Sequence, residues 1–151
     1  MPDTMPPIRS VETRIGYQLK RTQQTLRNSM DEALVVLGLT TAQYAALAML
    51  EQSTGESSAE LARRMFVTAQ SMNEIILRLE DRHLVVRDPH PVHGRILQTH
   101  LTSAGQKTLN RAHRLVGDVE KQMESGLNKP ERRALVDMLR RCTAALGNTT
   151  T

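Results

Sequence analysis

The stretch that decides the fold runs from residue 58 to residue 105 and reads SAELARRMFVTAQSMNEIILRLEDRHLVVRDPHPVHGRILQTHLTSAG. Ser57, immediately before this stretch, and Glu60, within it, have the spacing of a capping box and predict a short helix. Thr68 is a good N-cap residue, and it predicts another helix that ends at about Arg82. Two short helices in such close succession are typical of a helix-turn-helix.

After His83 the pattern changes from helical to extended. Residues 84–86 predict one strand, and residues 96–101 predict a second strand whose alternate side chains share a face. Between them, residues 88–95 contain two prolines and one glycine, which predict an irregular tip. The two helices and this hairpin together predict a winged helix-turn-helix with one β-hairpin wing.

A long amphipathic segment precedes this core. Apolar residues from Ile8 to Leu37 recur at separations of three, four or seven and predict one helix, which Gly38 ends. Such a helix would run about 45 Å, longer than a small domain needs for its own core, and therefore indicates a partner chain. Thr40 and Gln43 form another capping-box pair and predict a short helix after it.

Two more helices are predicted beyond the wing. Thr102 is expected to begin a long one, and Asn128 is expected to begin the last one, which Gly147 ends. The apolar face of the last helix is formed by Leu135, Leu139, Cys142 and Leu146.

These elements predict a mainly α (α+β) fold. A winged helix-turn-helix domain is expected over residues 38–101. Residues 8–37 and 102–147 are expected to form a helical dimerisation region around it. Residues 1–7 and 148–151 are expected to be disordered.

The composition narrows the class of partner. Only 2% of the 151 residues are aromatic, which argues against a β-sandwich and against platforms that stack bases on aromatic rings. The 20 basic residues, 16 of them Arg, outnumber the 16 acidic ones, so a polyanionic partner is expected. The single cysteine, Cys142, excludes an internal disulfide and fits a reducing cytoplasm. No apolar stretch reaches the roughly 18 residues of a membrane span, and no secretion signal is expected.

The second helix of the pair carries the candidate base-reading residues. Its core face is predicted to contain Met72, Ile75, Ile76 and Leu79. Its outward face is predicted to contain Gln70, Asn73, Glu74, Leu77 and Arg78. Gln and Asn form paired hydrogen bonds with adenine, Arg grips guanine or a phosphate, and Leu77 would meet a thymine methyl group. Glu74 would either accept a hydrogen bond from a cytosine amino group or weaken binding by facing phosphates. The alternative interpretation of the whole outward face is an ordinary polar helix surface.

The predicted wing is basic at its tip. An arginine such as Arg95 enters a narrow minor groove well, because the negative potential is deepest there. A solvated loop is the alternative, and it fits Arg87 better than Arg95. The hairpin also carries four histidines, His83, His90, His93 and His100. No metal site is expected from them, because neither Cys nor a convincing carboxylate joins them.

These segments resemble the winged-helix core of MarR-type transcriptional regulators. The matching motifs are Ala59-Glu60-Leu61-Ala62, Leu79-Glu80, Leu84-Val85-Val86-Arg87 and Leu101-Thr102-Ser103-Ala104-Gly105, extended by Gln43-Tyr44 and Leu47. The resemblance implies a homodimeric repressor that binds an inverted-repeat operator, with the recognition helix in the major groove and the wing in the minor groove. The resemblance assigns Thr68, Gln70, Ser71, Asn73 and Arg78 to the recognition segment and Arg95 to the wing. Arg87 and His93, on the same hairpin, are the other predicted DNA-binding residues.

One wing residue departs from the family pattern. His93 stands two residues before Arg95, where the family commonly has Asp. An Asp would orient the arginine through a charged hydrogen bond, whereas a His does so only when it is neutral.

The resemblance also implies a small phenolic or anionic effector between the dimer helices and the winged module, which shifts the dimer to a form that releases DNA. Its candidate contacts are Arg14, Tyr17, Arg21 and Tyr44, and a dimer salt bridge or a core-edge tyrosine is the alternative. A redox response through Cys142 and a protein-binding adaptor stay open as alternatives, although the apolar face around Cys142 favours a buried thiol. No cofactor and no catalytic residues are expected, because the sequence has no phosphate loop, no nucleophile elbow and no paired carboxylates in an obvious cleft.

Overall fold

The computed structural model describes residues 10–53 and 55–147. In chain order, its elements are α1 (Ile15–Leu34), α2 (Thr41–Gln52), β1 (Glu56–Ser57), α3 (Ser58–Arg64), α4 (Ala69–Asp81), β2 (Val85–Pro89), β3 (Leu97–Leu101), α5 (Ser103–Glu124) and α6 (Lys129–Leu146). The predicted helix start at Ile8, and the disorder predicted for residues 1–7 and 148–151, lie outside the described residues. The mainly helical winged architecture is confirmed.

The first predicted helix is interrupted. Arg14 is extended, at φ −80° and ψ 135°, and separates a short 3₁₀ turn at Val11–Thr13 from α1. A second 3₁₀ turn, Val35–Leu37, follows α1. Gly38 then adopts the left-handed conformation, at φ 65°, which ends the helix as predicted.

Local capping determines where the other helices begin. Reciprocal capping boxes are present at Thr40 with Gln43, at Ser57 with Glu60, and at Asn128 with Glu131. At α4 the side chain of Thr68 accepts a hydrogen bond from the backbone of Ser71. Each pair satisfies backbone N–H groups that a helix start leaves without partners, so the predicted starts of α2, α3, α4 and α6 are confirmed.

The sheet has three antiparallel strands in the order β1-β3-β2. The two-residue strand β1 was not predicted from the sequence, because it has no alternating pattern of its own and forms only by pairing with β3. Strand β2 continues through Pro89, which pairs with Leu97, so the irregular tip is shorter than the predicted residues 88–95. A proline is tolerated at this position because it ends an edge strand.

The core lies where α2, α4, α5 and the sheet meet. Its fully buried side chains are aliphatic or Met, except for Thr99, and they comprise Leu34, Leu47, Leu50, Leu61, Met72, Ile76, Leu79, Leu109 and Thr99. Within the described ranges, no single helix is long and apolar enough to cross a membrane. Ile15–Leu37 and Thr41–Gln52 have the length and apolar composition of a span only when taken together, but they are bent by 79° relative to each other and α2 packs into the core.

Candidate nucleic-acid interface

Helix α4 divides its residues between the core and solvent. Met72, Ile76 and Leu79 are buried and Ile75 is partly buried, as the helical pattern predicts. All five predicted outward residues are exposed: Gln70, Asn73, Glu74, Leu77 and Arg78. The buried stripe fixes the helix on the domain, so the polar face is presented as a rigid surface.

The first turn of α4 is held by two of the predicted DNA-binding residues. The Thr68 hydroxyl accepts from the Ser71 N–H at 3.1 Å and lies 3.0 Å from the Ser71 hydroxyl. Both side chains therefore order the helix end, and both residues are exposed. This N-terminus leaves backbone N–H groups free to face an anion such as a phosphate.

Arg87, predicted to contact DNA, has a different partner in the structure. Its guanidinium donates two hydrogen bonds to the carboxylate of Glu80, at 3.0 and 3.2 Å, and its side chain is only 16% exposed. The bonds from Arg87 lower the pKa of Glu80. Since Glu80 lies in the last turn of α4 and Arg87 in β2, this pair braces the wing against the recognition helix.

A second arginine holds the C-terminal end of α4. The guanidinium of Arg82, which follows α4, donates to the carbonyl oxygens of Leu37 and Gly38, each at 2.8 Å. These carbonyls belong to the joint between α1 and α2. The sequence did not predict this contact, because the acceptors are backbone atoms that lie 44 and 45 positions before Arg82 in the chain.

The tip of the wing is exposed from Pro91 to Leu97. Arg95 and His93 both lie in this exposed loop, as predicted. The histidine rings of His90 and His93 are 5.2 Å apart. Across the described residues, no three His, Cys, Asp or Glu side chains come together in a way that could hold a metal ion.

The four predicted effector contacts are not brought together within one chain. Arg21 lines a cleft of about 410 Å³ between α1 and α5, and this cleft does not include Arg14, Tyr17 or Tyr44. The hydroxyl of Tyr44 instead lies 2.9 Å from Nδ1 of His113 on α5. Burial raises the pKa of Tyr44, and Glu120 and Glu51 raise it further.

Cys142 is exposed in the single chain, so the described residues of this chain do not bury the thiol, and its burial stays a prediction. It lines an open groove of about 810 Å³ between α1 and α6, together with Ile15, Leu19, Leu135, Met138 and Leu139. The helical pattern identified the apolar face correctly, but none of the α6 residues is buried by the part of the chain that the structure describes. A redox role for Cys142 stays a prediction.

A recognition helix preceded by a short helix and followed by a hairpin braced on it defines a winged helix-turn-helix protein. The comparisons with known proteins agree with that class. Residues 37–96 match the model of the MarR family. The HTH-type transcriptional repressor Rv2887 of Mycobacterium tuberculosis is 39% identical over 125 residues, which are 83% of this chain and 90% of that protein. The chain therefore belongs to the MarR family.

Two solved structures have the same fold. The transcriptional repressor CouR, bound to a 23-mer DNA duplex, is 30% identical, with a TM-score of 0.81 over 87% of this chain and 93% of that chain. The Rv2887 protein of Mycobacterium tuberculosis in complex with salicylic acid is 38% identical, with a TM-score of 0.70 over 86% of this chain and 96% of that chain.

Proposed function

We propose that this protein is a homodimeric transcriptional repressor that binds an inverted-repeat DNA operator and is released by a small phenolic or anionic effector. The observation that carries this proposal is the exposed polar face of α4, held beside an arginine-bearing wing by the Glu80–Arg87 pair. In this role the protein would catalyse no reaction and would act in the cytoplasm.

Groove chemistry supports DNA as the partner. Gln70 and Asn73 are near the N-terminus of α4, the end that enters the major groove in helix-turn-helix proteins. Their amides match the donor and acceptor pattern of adenine, and Arg78, five residues after Asn73, suits guanine or a phosphate. Arg95 at the wing tip suits the adjacent minor groove. CouR, which has this fold, was solved on a DNA duplex.

A second copy of the chain is the proposed cover for the α1–α6 groove. Large apolar side chains are exposed along α6 to 42% at Leu135, 49% at Met138 and 37% at Leu139. A contiguous apolar surface of this kind is rarely left open to water and marks an interaction site. With two-fold symmetry, the two recognition helices would lie about 34 Å apart, one turn of DNA, which requires an inverted-repeat operator.

The cleft beside Arg21 is the proposed binding site for the effector within a single chain. Its lining combines this guanidinium with Thr22, Thr25 and the apolar side chains of Leu26 and Met123. A cation beside apolar carbon suits an aromatic carboxylate. The Rv2887 repressor was solved with salicylic acid, which is such a compound.

The test begins with duplexes selected by the wild-type protein from a random pool, one of which is then fluorescently labelled for anisotropy. We expect Asn73→Ala and Arg95→Ala to weaken binding by about 5- to 150-fold, or ~1–3 kcal/mol, without unfolding the protein. Arg114→Ala is the matched control for Arg95→Ala, because it removes one arginine charge from the exposed side of α5, away from the proposed interface. If selection enriches no duplex, or if both variants bind like Arg114→Ala, the proposed interface is wrong.

Effector release is measured on the same labelled duplex. Titration with salicylate should lower the anisotropy of the wild-type complex, and Arg21→Ala should require a higher salicylate concentration for the same release. Benzyl alcohol, which lacks the carboxylate, is the control compound. Equal release from wild type and Arg21→Ala would remove this cleft from the proposal.

A further inference from the structure

A histidine ring organises the tip of the wing. Nδ1 of His90 accepts hydrogen bonds from the backbone N–H groups of Val92 and His93, both at 3.0 Å. The loop is closed by two backbone bonds, from the His90 N–H to the Ile96 carbonyl at 2.7 Å and from the Ile96 N–H to the His93 carbonyl at 2.8 Å. His90 thus contacts both ends of the loop that contains Arg95.

The sequence around His90 favours this arrangement. Pro91 has no N–H group, so the first backbone donors after His90 are those of Val92 and His93. The proline also restricts its own φ angle, which reduces the number of loop conformations in competition with the turn. A side-chain acceptor that bonds the backbone two and three residues further on is a local device that Asn and Asp commonly use in turns.

The two hydrogen bonds define the protonation state of the ring. Nδ1 accepts a hydrogen bond only when it carries no proton, so His90 is neutral with its proton on Nε2. A second proton would place an N–H group opposite two other N–H groups and break both bonds. Protonation of Nδ1 would therefore release the loop from the ring.

We propose that His90 is a positioning residue for Arg95: its neutral ring holds the loop that presents the guanidinium to the minor groove. This inference rests on the DNA-binding function proposed above. In this arrangement the loop is fixed through backbone N–H groups and not through the arginine side chain.

Neighbouring charges do not supply the same restraint. Arg87 is bonded to Glu80, and Asp88 is exposed on β2 opposite Gln98. The ring packed against His90 is that of His93, with the two ring centroids 5.2 Å apart. Arg95 is the one permanent positive charge in the loop between β2 and β3.

A double-mutant cycle tests whether His90 acts through Arg95. Binding of the selected labelled duplex is compared for wild type, His90→Ala, Arg95→Ala and the double variant. We expect His90→Ala to weaken binding by about tenfold, because both turn bonds are lost. We expect the double variant to bind like Arg95→Ala alone. If His90 acts only by positioning Arg95, the order of the loop no longer affects affinity once that arginine is removed. His90→Asn should restore binding to within about threefold of wild type, because its side-chain oxygen is an acceptor for the same N–H groups.

Acidification separates positioning from simple charge. On lowering the pH from about 7.5 to about 5.5, a positioning role predicts that wild type loses affinity relative to His90→Asn. A role for His90 as one more positive charge beside DNA predicts the opposite change, because the protonated ring would attract the duplex. His83→Asn, at the base of the hairpin, is the matched control and should follow the wild-type profile.

The outcomes distinguish the inference from the function on which it rests. If wild type binds the duplex and His90→Ala binds equally well, or if the His90→Ala and Arg95→Ala effects add fully, His90 is not a positioning residue and the proposed function stands. A relative gain of wild type over His90→Asn at low pH also overturns the inference. If wild type selects no duplex, both fail.

Discussion

Replacing Gly105 by Ala should destabilise the protein strongly, because the first turn of α5 packs directly on the start of the wing. A Cβ atom at position 105 would lie 1.9 Å from the carbonyl oxygen of Leu84 and 2.9 Å from its carbonyl carbon. That carbonyl oxygen already accepts the Thr102 N–H at 3.1 Å. The added methyl group must therefore displace the backbone junction between α4, β2 and α5.

The size of the destabilisation follows from the overlap between the added Cβ atom and the Leu84 carbonyl oxygen. Carbon and oxygen atoms approach to about 3.3 Å in close contacts, so the backbone must move by more than ~1 Å. Overpacking of a filled site costs about 1–3 kcal/mol, and loss of the Thr102–Leu84 hydrogen bond adds about 1 kcal/mol. We expect a net decrease of about 1–3 kcal/mol in the free energy of unfolding, because the higher helix propensity of Ala offsets ~1 kcal/mol of the combined cost.

Urea denaturation followed by circular dichroism at 222 nm measures this change at one fixed protein concentration. Gly117→Ala is the matched control: it lies in the same helix, and an added Cβ there has no heavy atom within 4 Å. We expect the control to be neutral or stabilised by up to ~1 kcal/mol. A Gly105→Ala protein within about 0.5 kcal/mol of wild type would refute the close approach of α5 to Leu84.

Three other changes test separate parts of the structure. Hydrogen bonds from Arg87 lower the pKa of Glu80, so their stabilisation is present above the ordinary Glu pKa of about 4.3 and is lost as the pH falls through the folded-state pKa. The stability difference between wild type and Glu80→Gln in urea should accordingly vanish in acid. Leu139→Glu should give a monomer by analytical ultracentrifugation, because it places a charge in the α1–α6 groove. His93→Asp should leave duplex affinity within about threefold of wild type by anisotropy, because His90 bonds only the backbone at that position.

The helix starts were predictable because capping is local. Thr40 with Gln43, and Ser57 with Glu60, need only a separation of three residues to satisfy the N–H groups at a helix end. The buried stripe of α4 was equally predictable from its 3.6-residue period. The outward set beginning at Gln70 followed as the opposite face of that stripe.

The contacts that orient the site were not predictable in the same way. Arg87 and Glu80 are seven residues apart in different elements, and which side chain of the wing turns inward depends on the strand register. The bonds of Arg82 end on the backbone of a distant turn, for which the sequence carries no residue-specific signal. The exposure of Cys142 likewise depends on what packs over α6. The helical period of the sequence identifies the apolar face but not the surface that covers it.

The most direct test is the affinity of the wild-type protein for a selected inverted-repeat duplex as a function of salt concentration. Polyanion binding by the α4 face and the wing predicts a straight line of negative slope between the logarithms of affinity and salt, with a loss of about 100-fold or more from ~50 to ~200 mM. Each complex should contain two copies of the chain. No binding at the lowest salt concentration, or an affinity independent of salt, would contradict the proposed role in DNA recognition.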